Sequence, residues 1–437
     1  MNLNSIYKNK IRLILLVLPV IIIMIIACSA QQQVHSKAEW PAISKETKPW
    51  TRWWWQGSSV NKKDLTKVME EYKAAGIGGL EITPIYGVHG EEKHFVEYLS
   101  PEWIELLAYT LKEAERLDMG IDMAAGTGWP FGGPWIGSDN ACKYMAYKIY
   151  ELKGGQRLDE KITFMQEPIA RAVRKRIDIS DVKEPISSNK NLQELALDQI
   201  RFKKPLPLQT LMAYSGNGDH LDITDQVNDS GELDWIAPKG EWKLYAVFQG
   251  WHGKMVERAA PGGEGNVIDH FSESAIKDYL KKFESAFKDY NNLSLRAFFN
   301  DSYEVDDARG ESDYTPDFFR EFKSRRGYDL KLYLPALFGN DEEEKVSRVR
   351  CDYRETISDL LLEKFTIPWR EWAKSHKAVV RNQAHGAPAN ILDLYAASGI
   401  PETEGITPKR IKMATSAGSN ISLACTVCCK KDWQFAT

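Results

Sequence analysis

The sequence predicts an α/β protein: parallel strands joined by helices, with one β-rich insertion. Three observations carry this reading. Strand-like and helix-like stretches follow one another at βαβ spacing over residues 49–139. That order lapses over residues 140–265, where half-buried strand patterns and turn residues dominate, and it resumes over residues 266–420. A chain of 437 residues, 43% of them hydrophobic, can bury one large core with insertions, or two to three smaller ones. No short internal period is present, which argues against a solenoid or propeller.

The first thirty residues read as an address. Lys8, Lys10 and Arg12 form a basic start, residues 13–27 an apolar run too short for a comfortable membrane span, and Ala27 stands directly before Cys28. IIAC resembles a bacterial lipobox, which implies a signal peptide over residues 1–27, cleavage before Cys28 and lipid on its sulfur; the alternative is an uncleaved anchor. Ser29 at the next position favours an outer-membrane lipoprotein over inner-membrane retention. The expected location is therefore exported, outer-membrane or periplasmic, with the membrane touched through the lipid alone. Residues 28–48 follow as a polar linker.

Helical periodicity begins at KKDLTKVMEEYKAAG, where Leu65, Val68, Met69 and Tyr72 share a face and Gly76 marks the end. GLEITPIYG is a short buried strand stopped by Pro84 and Gly87. SPEWIELLAYTLKEAERLDMG has Ser100 as N-cap, Pro101 at the first helical position and Gly120 as its stop. IDMAA is the next strand and leads into GTGWPFGGPW. Within the insertion, Leu244, Ala246 and Phe248 alternate with Lys243, Tyr245 and Val247, a half-buried strand. Beyond it come a helix near SESAIKDYLKKFESAFKDY, a strand at LRAFFNDS, helices over TPDFFREFKSRRG and VRCDYRETISDLLLEKFTIPWREWAKSHK, and a strand at AVVRNQAHG.

The 57 Lys and Arg are interspersed with 61 Asp and Glu, for a net charge of −4, so there is no basic stripe and no nucleic-acid partner is expected. The 14 tryptophans are unusual, and their flat faces suit both sugar rings and protein cores. Cys142 and Cys351 stand alone, and three cysteines crowd the last thirteen residues, so no disulfide framework is evident. Polar residues gather where strands stop: Glu81, Asp122, Asn300, Asp301, Glu304, Asn382, His385, Glu402 and Glu404. If the sheet is a (β/α) barrel, such positions converge on one pocket. Paired carboxylates are what glycosidic-bond cleavage requires, one as acid and one to activate water or attack the sugar. Glu402 and Glu404 share a face in an extended segment, so a proton or a cation such as Ca²⁺ would have to separate their charges; an acidic surface turn is the bland alternative.

Read in order, TRWWWQGSSVNKKDL, AAGIGGLEITPIYG, GTGWPFGGPW, APGGEGNVIDHFS, FFNDSYEV and RNQAHGAPANILDLYAASGIPETEG resemble the N-terminal catalytic part of glycoside hydrolase family 106, the bacterial α-L-rhamnosidases, over residues 48–415. The resemblance implies a (β/α) barrel with β-rich modules, a calcium-dependent site, an inverting mechanism and rhamnose-containing pectic oligosaccharides or polysaccharides as substrates. PETE is the matching acid-bearing segment, which implies Glu404 as general acid and Glu402 turned toward Ca²⁺, with the roles exchangeable. NDSYE implies Asn300, Asp301 and Glu304 as hydroxyl ligands. Trp54, Trp55 and Trp129 become candidate walls, and His385 a hydroxyl donor or a buried structural histidine. Residues 421–437, ending SLACTVCCKKDWQFAT, depart from the family pattern, in which a base-bearing glutamate follows later. The chain is therefore expected to be incomplete at its C-terminus, and a non-catalytic glycan-binding lipoprotein or an inactive remnant is the alternative function.

Overall fold

A computed structural model describes residues 42–173, 175–189, 192–290 and 293–403. The chain divides into two compact units, Met1–Ser44 and Lys45–Thr437. The expected signal segment, Cys28, Glu404 and residues 421–437 lie outside the described residues.

In the second unit the parallel sheet is wound in chain order. β1 (Trp50–Gln56) leads through α1 (Lys62–Ala74) to β2 (Gly79–Ile85), and α2 (Pro101–Arg116) leads to β3 (Gly120–Ala124). An antiparallel sheet follows, made of β4 (Lys143–Lys153), β5 (Leu208–Ser215), β6 (His220–Asp222) and β7 (Glu241–Trp251), in the order β6-β5-β7-β4. The parallel sheet then continues with α3 (Glu273–Phe287), β8 (Ala297–Asn300), α4 (Phe318–Arg326), α5 (Glu343–Leu360), α6 (Ile367–Ser375), β9 (Val379–Asn382), α7 (Ile391–Ala397) and β10 (Ile400–Pro401). Its strand order is β1-β2-β3-β8-β9-β10, all parallel.

Capping fixes the helix starts. Asn61 accepts from the Asp64 N–H at 3.0 Å and Ser100 from the Trp103 N–H at 3.2 Å, each satisfying a donor that the first turn leaves open. α2 ends at Arg116, earlier than Gly120 would suggest. Asp118 takes the left-handed turn with φ 49°, and Gly120 is already the first residue of β3. β2 likewise runs through Pro84 to Ile85. The Pro84 carbonyl accepts from Gly128, past the end of β3, and a strand residue's nitrogen faces the same neighbour as its carbonyl, so no ladder bond is lost.

β1 is the strand that periodicity does not reveal, because both of its faces carry large residues. Trp53 and Trp55 point to the helices, where Trp55 is fully buried 5.7 Å from the Trp103 ring of α2. Trp50, Arg52 and Trp54 occupy the other face. β7 is similar: Leu244, Ala246 and Phe248 bury in the core of the antiparallel sheet, while Tyr245 and Val247 bury in the main core. The expected half-exposed strand is thus covered on both sides.

The parallel sheet curves around its inner face. Arg381 on β9 pairs with Glu81 on β2, and Arg52 on β1 reaches Asp301 after β8 at 3.2 Å. Each pair spans three strand spacings, roughly 14 Å if the sheet were flat. Contact between the side chains requires curvature. At the N-terminal end of this face Trp50 lies across the neighbouring strands, and a Cβ added at Gly79 or Gly120 would fall 2.4 or 2.2 Å from its ring.

Gly120→Ala should therefore destabilise the protein by about 1–3 kcal/mol through overpacking, outweighing the roughly 0.4–1 kcal/mol gained from a stiffer unfolded chain. Chemical denaturation reads the difference, and Trp50→Leu in the same chain should recover most of it. A Gly120→Ala protein as stable as the parent would contradict the packing of Trp50 against this strand.

Candidate active site

The inner face holds alternating charges. Arg52 and Glu81 are register partners on β1 and β2, paired at 2.9 Å, and Glu81 also accepts from the Thr83 hydroxyl at 2.5 Å. Arg381 is the centre. Its guanidinium pairs with Glu81, with Asp122 at 2.7 Å and with Glu402, joining β2, β3 and the residue after β10. Asp122 is also gripped by Arg296 at 2.8 and 2.5 Å, and Arg296 lies over the Trp50 ring. Phe299 on β8 packs under both Arg52 and Arg381, with their guanidinium carbons 5.0 and 4.5 Å from its centroid. Burial pushes the Glu81 carboxyl above its ordinary range, opposed first by Arg381 and then by Arg52.

Above this layer lie the residues of the strand-end loops. Trp54 is 42% exposed beside Arg52, which places an open indole face at the mouth of the inner face. Asp301 joins the network through Arg52. Asn300 donates to the Asn382 amide oxygen at 2.9 Å, so these two are committed to one another across β8 and β9. Glu304 accepts from Trp129 Nε1 at 2.5 Å and from the Ser302 hydroxyl at 2.6 Å. On its other side the Trp129 ring carries the Arg258 guanidinium, 4.8 Å from its centroid.

The structure thus brings Trp54, Asp301 and Glu402 to one face, with Asn300 at the end of β8 and Glu304 and Trp129 on adjoining loops. Trp55 is a correction. It lies behind the sheet with no exposed surface, packed against Trp53 and Trp103, and is a core residue rather than a wall. His385 is exposed, and its carbonyl accepts from the Tyr303 N–H at 3.0 Å, so it is no buried structural histidine. Arg52, Arg296 and Arg381 were not anticipated. Their signal was available: TRWWW, LRAFF and VVRNQ each set a lone arginine within or directly beside a run of large apolar residues, where a buried cation needs carboxylate partners.

Carboxylates on successive strand ends, facing an open indole, form the kind of pocket that holds a sugar between hydroxyl ligands and an aromatic wall. A family model described as alpha-L-rhamnosidase, glycoside hydrolase family 106, matches residues 42–213 and 203–393. The chain belongs to this family. Among similar proteins, one from Formosa agariphila named putative beta-glucuronidase is 28% identical over 344 residues, 75% of this chain and 28% of that protein. A solved rhamnosidase from Novosphingobium sp. PP1Y shares the fold with a TM-score of 0.61 at 19% identity, over 82% of this chain and 48% of that one. The family 106 chain thus spans less than a third of one relative and about half of the other.

Among the described residues no group of three His, Cys, Asp or Glu side chains is placed to hold a metal ion.

Removing Arg381 from this family 106 site leaves carboxylates without their shared counter-charge. Arg381→Met should cost about 3–5 kcal/mol, as breaking a buried pair does. The loss should grow with pH. Without Arg381, the Glu81 carboxyl of the native state rises further above its unfolded value, the native state holds the proton that the unfolded state releases, and stability falls as pH rises through that interval. Urea denaturation of both proteins from pH 4 to 7 checks this; a deficit that shrinks toward neutrality would contradict it.

Proposed function

We propose that this chain carries the sugar-binding and acid-bearing part of an α-L-rhamnosidase within a (β/α) barrel, acting by inversion on rhamnose-containing glycosides such as pectic oligosaccharides. The observation that carries the reading is the ion-paired layer of Arg52, Glu81 and Arg381, which holds Asp301 and Glu402 just past the C-terminal ends of β8 and β10, beneath the exposed face of Trp54. That end of a parallel sheet is where barrel enzymes place their chemistry. The chain-order winding and the curvature support a barrel.

In this reading Asp301 and Glu304 hold sugar hydroxyls and Trp54 and Trp129 flank the ring. Asn300 would have to give up its bond to Asn382 to reach a hydroxyl, and His385 would approach from the loop after β9. Glu402 is already engaged by Arg381, which suits a fixed anion facing a hydroxyl or a cation and supports Glu404 as the proton donor. Calcium would be held by Glu402, and no step here is routed through it; Glu404, the proposed acid, lies outside the described residues. Anchoring through a lipid on Cys28 belongs to the same proposal: a fatty-acid analogue should label the parent chain and leave Cys28→Ala unlabelled.

The test is hydrolysis of an aryl α-L-rhamnoside beside an aryl β-glucuronide, with the product anomer read by NMR. In a form of the protein that also carries a base-bearing glutamate, turnover of the rhamnoside with inversion is expected, and turnover of the glucuronide alone would overturn the assignment; the variant and chelator tests use the same form. Glu404→Gln should lower turnover of natural rhamnosides by about 10²- to 10⁴-fold and spare substrates with acidic phenol leaving groups. Equal loss on both would move the acid to Glu402. Chelator should abolish activity and Ca²⁺ restore it; indifference to chelator removes calcium.

A further inference from the structure

Next to the strand-end cleft, beyond Trp129, lies a cavity of about 620 Å³ bounded by the loop after β2, the 192–197 segment and the 255–265 segment. Its wall is strained in an ordered way. Seven non-glycine residues among those described have positive φ, and three of them, Tyr86 (47°), Ala196 (47°) and Arg258 (56°), line this cavity. Such conformations cost about 1–3 kcal/mol each and gather where ligands are clamped. Tyr86 and Arg258 lock one another: the Tyr86 N–H donates to the Arg258 carbonyl at 2.9 Å, and the guanidinium donates to the Tyr86 hydroxyl at 2.5 Å. The guanidinium also lies against two rings, 5.7 Å from the centroid of Tyr86 and 4.8 Å from that of Trp129.

The charges of the lining are unequally engaged. Glu257 pairs with Lys254, Glu92 accepts from the Gly90 N–H at 2.9 Å and faces His89 at 3.5 Å, and Glu264 accepts from the Gly262 N–H at 2.9 Å. Glu194 is the one lining acid without such a partner among the described residues. Neither Arg258 nor Lys175, the two strong cations of the wall, is paired with a carboxylate among the described residues. A planar guanidinium fixed over aromatic faces, with a second cation in the same cavity, fits a carboxylate on a flat ring. Trp129 is the partition, with its N–H on Glu304 of the cleft and its ring under Arg258 of the cavity.

We propose that this cavity receives the sugar on the leaving-group side of the scissile bond, and that this sugar is a uronic acid whose carboxylate is held by Arg258 and Lys175. The assignment to the leaving-group side rests on the rhamnoside reading of the cleft. The test is calorimetric titration of the full chain with three non-hydrolysable ligands: methyl thio-α-L-rhamnoside, a thio-linked rhamnosyl-glucuronic acid, and its neutral rhamnosyl-glucose counterpart. The uronate disaccharide should bind about tenfold tighter than the neutral one, as a charge-assisted pair allows, and the ratio should narrow with salt. In Arg258→Ala the ratio should fall toward one, and in Lys175→Ala it should fall partway. Because the ratio is read within each protein, a general weakening of binding does not disguise it. Rhamnoside binding with no uronate preference, or a preference unchanged in both variants, overturns the cavity assignment alone. Failure of all three ligands to bind overturns the rhamnoside reading with it.

Discussion

One guanidinium holds the inner face together. Arg381 projects from β9 into a space that a parallel sheet ordinarily fills with aliphatic side chains, and a buried cation there must be compensated by carboxylates. Glu81 and Asp122 come from β2 and β3, and Glu402 from beyond β10. Each partner fixes a distance between strands that backbone hydrogen bonding alone leaves free. The result is curvature, since three strand spacings must close to the reach of two side chains. It is also polarity, since the ion-paired members of the layer face inward around Phe299.

The two ends of that face are built for different purposes. At the N-terminal end Trp50 fills the space over Gly79 and Gly120 and stacks under Arg296, so this end is sealed. At the C-terminal end the side chains spread: Trp54 is exposed and Trp129 turns its N–H to Glu304. The antiparallel sheet braces the same structure from outside. Tyr245 of β7 and Tyr147 of β4 stack on Phe338 of the 334–338 turn, and Met145 of β4 donates its N–H to Asp313, whose carboxyl burial pushes up to about 7. The loop that follows β8 and carries Asp301 and Glu304 is therefore clamped at its far end by the inserted sheet.

Much of this was legible where one rule dominates. Ser100 followed by Pro101 begins a helix because the cap and the proline both satisfy its first turn, and Gly327, at φ 77°, ends α4 because only glycine takes that conformation without strain. Legibility failed where a residue serves two faces. Trp53, Trp54 and Trp55 look alike in sequence, but alternation sends Trp54 to the mouth of the site and Trp55 to the helix interface. The stretch therefore shows neither the strand nor which tryptophan meets a ligand. The acids at strand ends were visible; their arginine partners were not, because a lone arginine in an apolar run does not say which distant carboxylates it will meet.

Depth along the strand then separates structural acids from acids able to work on a ligand. Glu81 and Asp122 sit within their strands, with side chains 2% and 0% exposed and each bonded to two arginines. Asp301 and Glu402 sit just past theirs, 11% and 27% exposed, each held by one arginine from the inner layer. A carboxylate bonded to two cations in a dry layer has little freedom to accept a sugar hydroxyl. One pinned by a single arginine from below keeps lone pairs toward the opening. The buried layer thus acts as a rigid base whose arginines hold Asp301 and Glu402 at its upper edge, and the same ion pairs that curve the sheet set the geometry of the groups that face the opening.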